Sequence, residues 1–360
     1  MANLGSGVDS ASVISEESSS KRLARKRLGL IIAGAISAMV IMAIFIALIV
    51  VRVPYVIIAP GSATLLDKSI IQIPDNKTYP HAGGVLYLTV RVSDGDPSVL
   101  RWLLAKVDDD VSIEPREEVI GCATYSESDR LNEALMDQAQ NSSRVAALTH
   151  LGYTVGVSST TVYVTNVGCD DPAFGKLQLG DEIMSIDGEV LNDAAEVKSA
   201  VQAHAPGEIV ELIVRRDEDE LPVSVKLAEK EGMGYLGIFA ETINEWQFPV
   251  DIRIDTDRVS GPSAGLAFSL AIIDELSPEN ITNGRRVAVT GSIRPDGIVG
   301  PVGGVAQKAI TARASGAKIM LVPKGDAKIA RRAIEGGELK IVVVDSLTEA
   351  LAALKKSSID

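Results

Sequence analysis

The sequence predicts three structural parts: one N-terminal membrane-spanning helix, a small β domain, and a C-terminal α/β domain. Three observations carry this reading. An uncharged apolar run at residues 28–51 directly follows a basic cluster. Short β-branched segments broken by Gly and Asp turns fill residues 153–231. From Gly232 onward, strand-like and helix-like stretches alternate, as they do in α/β domains. A chain of 360 residues with 46% apolar residues has room for two or three packed cores. Its net charge of -13 argues against nucleic acid as a partner, since phosphates need basic surfaces.

Residues 1–27 are rich in Ser and Gly, lack apolar periodicity, and read as a disordered cytoplasmic tail. As a helix, residues 28–51 would reach roughly 36 Å, enough to cross a hydrocarbon core of about 30 Å. A cleaved signal peptide also has a basic start, but its apolar region is usually about 7–15 residues long and ends at a small-residue site. This run is longer, and "VRVPYVIIAPG" after it offers no such site. Lys21, Arg22, Arg25, Lys26 and Arg27 precede the run, and only Arg52 and Lys68 follow it closely. The positive side stays inside, so the expectation is a single-pass protein of the cell membrane with residues 52–360 extracytoplasmic. Contact with the lipid bilayer is expected through this one helix.

Residues 52–152 read as a juxtamembrane module of unassigned role. "VPYVIIAPGSATLLD" and "GGVLYLTVRV" have strand composition, and "DPSVLRWLLAKV" reads as a helix with Val99, Leu103 and Leu104 on one face. A second helix is expected over residues 128–150, ending before Gly152. Cys122 and Cys169 are too few for a disulfide framework and lack metal-ligand spacing, so no metal is expected. Whether the two cysteines pair stays open, because sequence does not show that they meet.

Residues 153–231 run strand, turn, strand, helix, then two strands around the acidic hairpin "DEDE". Pro172-Ala173, Leu177, Leu179-Gly180-Asp181 with Ile183, the Asp187-Gly188 turn and Arg215-Arg216 resemble the PDZ domains of bacteria. That resemblance implies a groove in which an extended polypeptide adds to a sheet edge. "HLGYTV", residues 150–155, is the candidate carboxylate-binding loop.

The chemistry points to residues 232–360. "DRVSGPSAGLAF" places Ser263 between Gly261 and Gly265, the G-x-S-x-G spacing that presents a serine at a turn before a helix. A serine hydroxyl needs a base, and the stretch holds no histidine. His81, His150 and His204 all precede the serine, whereas an α/β-hydrolase places its histidine after it. A subtilisin-like order is formally open, but these histidines fall in other segments. "SGAK" (315–318) matches S-x-x-K but runs straight into a strand, and "SSSK" (18–21) lies in the tail. The remaining scheme is a lysine distant in sequence. Lys308 fits it, behind the glycines at 297, 300, 303 and 304.

"SGPSAGLAFSLAII", "VAVTGSI" and "GIVGPVGGVAQKAITARASGAKIMLVP" together resemble the Lon-type proteolytic domain of the Ser-Lys peptidases. With the anchor and the PDZ-like part, the chain is similar to the membrane-anchored, PDZ-containing Lon-like proteases of bacteria. The resemblance implies an α/β Lon-type fold with Ser263 as nucleophile in Gly261-Pro262-Ser263-Ala264-Gly265. It implies Lys308 as general base in G-G-x-x-x-K, and Thr290 as a residue positioning the lysine amine. It further implies polypeptide substrates, no cofactor, and a homo-oligomeric ring. Two positions depart from the family: Ser260 and Ser292 stand where Lon usually has acids. No G-x-x-x-x-G-K-[ST] occurs, so no ATP site is expected and proteolysis would be ATP-independent. The rival functions are a non-catalytic PDZ scaffold at the membrane, and an amidase or esterase built on the same dyad.

Overall fold

The computed structural model describes residues 10–256 and 259–356. It divides into two units: the chain up to Val53 with Pro97–Leu104, and Pro54–Asp96 with the chain from Ala105. The first unit is helix α1 (Ser10–Val50), which starts well inside the stretch expected to be irregular. Among the described residues, its segment Leu30–Val50 is the one helix long and apolar enough to cross a membrane.

The second unit is built on a six-stranded sheet that gathers distant parts of the chain. Its strands are β1 (Tyr55–Leu65), β2 (Gly84–Val92), β3 (Ser112–Pro115), β9 (Arg286–Val289), β10 (Ile319–Pro323) and β11 (Lys340–Val344). In space they run β11-β10-β9-β2-β1-β3. The parallel half is β2, β9, β10 and β11, with Gly84 opposite Arg286 and Val287 opposite Ile319. Every residue of β10 is buried, as a parallel strand covered on both faces requires.

Alternate residues sort to two cores, following the two-residue period of a strand. Val287 and Val289 face a core with helices α3 (Tyr125–His150), α5 (Gly265–Leu276) and α8 (Leu347–Lys356). Ala288 faces the other, with α6 (Val305–Ala314) and α7 (Ala327–Ala333). Residues 52–152, read from sequence as a separate module, therefore supply three strands and helix α3 to the α/β fold itself. The C-terminal domain does not start at Gly232; its first strand is β1.

The PDZ-like domain is an insertion into that fold. Its sheet runs β8-β4-β5-β6-β7, formed by β4 (Gly156–Val167), β5 (Glu182–Ile186), β6 (Ile209–Arg216), β7 (Asp219–Lys226) and β8 (Ile238–Gln247). Helix α4 (Ala194–Gln202) packs into its core through Val197 and Val201. β8 lies past the boundary expected at residue 231. Gly156 and Gln247 are paired neighbours, so the chain enters and leaves the insertion at one place. The motif residues meet as a unit: Arg216 donates twice to the buried Asp181 carboxylate, at 2.7 Å each. The insertion is tied to the start of α3 by a Cys122–Cys169 disulfide, Cα–Cα 5.5 Å, which answers the question left open by the sequence. Arg130 of α3 adds a 2.5 Å bond to Gln178 and an ion pair to Asp217 at 3.7 Å.

This two-segment construction has a direct test. Replacing residues 156–247 with a short Gly-Ser linker, together with Cys122→Ser, should leave the α/β unit folded with cooperative thermal unfolding. Residues 232–360 expressed alone should fail to fold, lacking β1, β2, β3 and α3. Circular dichroism and limited proteolysis separate the two; a stable 232–360 fragment would contradict the shared sheet.

Candidate active site

Ser263 sits in a single 3-10 turn, Pro262–Ala264, that leads directly into α5. Proline at the first position presets the turn and lacks only an N–H that would have no helical partner. Gly261 before it has φ +93, a conformation that side chains rarely tolerate. Its N–H donates to the Asn132 carbonyl of α3 at 3.0 Å. Gly265 has a different reason to be glycine: an added Cβ would lie 2.9 Å from the Ile293 side chain. Ala264 is buried beside them, and Asp257 and Arg258 lie outside the described residues.

The segment after β9 closes over this turn. The Gly291 N–H donates to the Ser263 carbonyl at 3.0 Å, and the Leu266 N–H to the Gly291 carbonyl at 3.1 Å. Thr290 is fully buried, and its hydroxyl donates to the Ser263 carbonyl at 3.4 Å. In the structure, Thr290 thus bonds the backbone of Ser263, where the resemblance implied a residue that positions the lysine amine.

Lys308 occupies the first turn of α6, behind Gly304. It is 2% exposed, although lysine is almost never fully buried unless paired. Among the described residues, no ion pair within 4.0 Å neutralises it. Burial in apolar surroundings pushes its amine down to about 8, and the Asp326 carboxylate opposes that fall. Asp326 follows β10 and is itself 6% exposed. Sequence gave no reason to single it out, because an aspartate before a helix reads as a cap. Here it makes no cap bond; its carboxylate accepts the Val302 N–H at 2.9 Å, in the loop leading to α6. Burial raises the Asp326 pKa, an effect opposed by the Val302 bond and the Lys308 charge. With serines at 260 and 292, Asp326 is the acid that acts on Lys308 among the described residues.

Ser263 and Lys308 enter from helices on opposite faces of the sheet, both at the carboxyl ends of its parallel strands. Open α/β sheets hold their ligands at that edge. Thr290, directly after β9, bonds the Ser263 turn, and its N–H bonds Leu321 of β10 at 3.1 Å. No hydrogen bond joins Ser263 Oγ to Lys308 Nζ in the structure; such bonds tighten in many enzymes only when substrate is bound. The histidines are committed elsewhere. His81 Nε2 lies 3.0 Å from the Ser277 carbonyl, and His204 contacts Ala200 and Asp187. His150 closes α3.

A second candidate site lies in the insertion. A cleft is lined by Val197, Val201 and Lys198 of α4, and by Leu236, Ile238 and Lys230. β8 is an edge strand beside it, and the short strand Met233–Tyr235 also lines it. The loop 150–155, expected from sequence to bind a carboxylate, does not line this cleft.

Comparison with known proteins agrees with both halves. Residues 250–356 match the Lon protease (S16) C-terminal proteolytic domain, and residues 149–227 match the PDZ domain. The chain carries a Lon-family proteolytic domain. Lon protease 2 of Bacillus subtilis (strain 168) is 36% identical over 104 residues, 29% of this chain and 17% of that protein. Lon protease of Metamycoplasma arthritidis (strain 158L3-1) is 41% identical over 68 residues, 19% of this chain and 8% of that one. The chain spans less than a fifth of either relative's length. Among solved structures, the PDZ domain of the SdrC-like protein from Listeria innocua is 30% identical. The match covers 22% of this chain and 92% of that one, with a TM-score of 0.21.

The charge pair at the Lon-type site is measurable without substrate. By NMR of labelled lysines, Lys308 should titrate near 8, below the ordinary lysine value. Asp326→Asn keeps an acceptor for Val302 but removes the anion that favours ammonium, so the Lys308 value should fall further. An unchanged or higher value in Asp326→Asn would remove Asp326 from the site's electrostatics.

Proposed function

We propose that this protein is an ATP-independent, membrane-anchored serine endopeptidase acting through Ser263 and Lys308 on extracytoplasmic polypeptides. The observation that carries the reading is a buried lysine with its amine lowered to about 8, inside a Lon-family proteolytic domain. At pH 7 an amine of that pKa is neutral about one time in ten, against about one in three thousand for an ordinary lysine. The gain corresponds to about 3 kcal/mol, the work of holding the amine out of water.

The neutral Lys308 amine takes the Ser263 Oγ proton as Oγ attacks the scissile carbonyl. The resulting oxyanion is stabilised by the Ser263 backbone N–H, the first donor of the Pro262–Ala264 turn, since Pro262 has none and the Gly261 N–H is held by Asn132. The Lys308 ammonium then gives its proton to the leaving amine, and water, deprotonated by the same lysine, releases the acyl chain. Thr290 and Gly291 hold the Ser263 carbonyl and keep Oγ aimed. The PDZ-like cleft, with an open edge strand and apolar walls, admits an extended polypeptide and selects protein substrates. Cleavage is ATP-independent because the chain has no P-loop sequence.

For location, the basic cluster ahead of α1 supports a cytoplasmic N-terminus. The Cys122–Cys169 disulfide supports an oxidising, extracytoplasmic setting for the rest. A protease added to spheroplasts should digest the C-terminal portion and spare a tag at Met1; a protected C-terminus would reverse the topology.

The dyad predicts non-additive kinetics. Ser263→Ala and Lys308→Ala should each abolish cleavage of casein, with or without ATP, and the double variant should be no worse. Lys308→Arg should also be inactive, since guanidinium keeps its proton. Wild-type activity should rise with pH through about 8, as neutral amine accumulates. Thr290→Ala should weaken activity without abolishing it, and the variant lacking residues 156–247 should keep small-peptide hydrolysis while losing activity on proteins. A Lys308→Arg protein that cleaves at pH 7 would take lysine out of the mechanism. Peptide binding without any cleavage would favour a scaffold.

A further inference from the structure

The second helix of the first unit, α2 (Val99–Ala105), has an apolar face that the fold leaves open. Leu100, Leu103 and Leu104 stand at i, i+3 and i+4, the spacing that puts side chains on one side of a helix. Leu103 is 44% exposed and Leu104 is 60% exposed, on a helix with no buried residue. Two adjacent leucines held in water on a seven-residue helix gain nothing for the fold, so their setting must supply the apolar contact.

The position of α2 says what that setting is. The chain entering it is stitched to the end of α1. Val53 N–H donates to the Pro97 carbonyl, and Val99 N–H to the Val51 carbonyl, each at 3.0 Å. Arg52 and Ser98 form a β-bridge between these two bonds. Ser98 Oγ caps the new helix by accepting the Arg101 N–H at 3.3 Å. The first residue of α2 is therefore fixed one residue beyond the apolar segment Leu30–Val50. From Val99 to Leu104 the helix can rise no more than about 8 Å, whatever its direction. The headgroup zone on each side of a bilayer is roughly 5–8 Å deep. If α1 crosses a membrane, as proposed above, Leu103 and Leu104 cannot leave that zone.

We propose that α2 is an interfacial foot, whose Leu100, Leu103 and Leu104 face enters the bilayer surface where α1 emerges. The proposal rests on the membrane reading of α1. Apolar side chains at that depth face acyl chains and not water, as on helices that lie in the membrane plane. The exposed Arg101, next to Leu100, is placed to meet lipid phosphate. α2 would thus give the anchor a second point of attachment, which a single helix rotating about its axis does not have.

The full-length chain reconstituted in phosphatidylcholine vesicles tests both readings separately. The native tryptophans are replaced in a Trp102→Phe, Trp246→Phe background, and one reporter is added, Leu104→Trp or Val40→Trp. The lipids carry bromine either close to the headgroup or near the chain end. Leu104→Trp should emit at shortened wavelength and lose more fluorescence to the shallow bromines than to the deep ones. Val40→Trp, in the middle of the apolar segment Leu30–Val50, should show the opposite order. Quenching of Val40→Trp with none of Leu104→Trp would overturn the foot and leave the anchor standing. No quenching of either would overturn both. A blue-shifted Leu104→Trp that lipid bromine does not quench would put a protein surface, such as a second copy of the chain, on this face and also overturn the proposal.

Discussion

Lys308, held 2% exposed and without an ion pair among the described residues, is the constraint around which the proteolytic domain is arranged. Its burial lowers the amine to about 8, and that state survives only while the walls around it stay closed. Asp326 works against the shift, yet it is itself desolvated and shares its carboxylate with the Val302 N–H. The arrangement is a compromise. A full ion pair would return the amine toward its ordinary value. With no carboxylate at all, the amine would fall further and the ammonium would lose its opposing charge.

Keeping those walls closed requires a large, continuous core, and the sequence order does not provide one locally. The segment 250–356 that matches the Lon-type domain supplies α5, α6 and three parallel strands. The fourth parallel strand, β2, and the antiparallel β1 and β3 come from beside the N-terminal helix. α3 then covers the face where α5 is buried along its first ten residues, from Gly265 to Asp274. The α3 helix meets the catalytic turn directly, since the Asn132 carbonyl holds the Gly261 N–H.

What the sequence revealed follows from the range of each interaction. Gly261, Pro262, Ser263, Ala264 and Gly265 act within one turn, so their spacing is readable in a dozen letters. Lys308 stands out in sequence by the glycines before α6, whereas its burial is legible only in the structure. The partnership of β2 with β9 was not readable, because a parallel pair between remote segments leaves no local pattern beyond apolar composition. Asp326 was hidden by a local rule that gave a competing explanation, the helix cap. The extension of the PDZ-like sheet to β8 was hidden by a strand with no fully buried residue, "IFAETINEWQ". For Cys122 and Cys169, only the meeting of α3 with the insertion decides the pairing.

That meeting gives α3 a role no single domain assignment would have suggested. Its first turns carry the PDZ-like insertion, through the disulfide beside Thr124 and through Arg130 bonded to Gln178. Asn132, two residues on, holds the turn that presents Ser263. Farther along, Met136, Ala146, Ala147 and Leu148 are locked in the core with α5. A capping box at Thr124 and Glu127 fixes where the helix begins, so these attachments are set in one rigid frame. The attachment of the insertion at Arg130 thus lies two residues from Asn132, whose carbonyl holds the turn that carries Ser263. The insertion is joined to the Lon-type domain through a helix that contacts this turn, and not only through the chain that enters and leaves it.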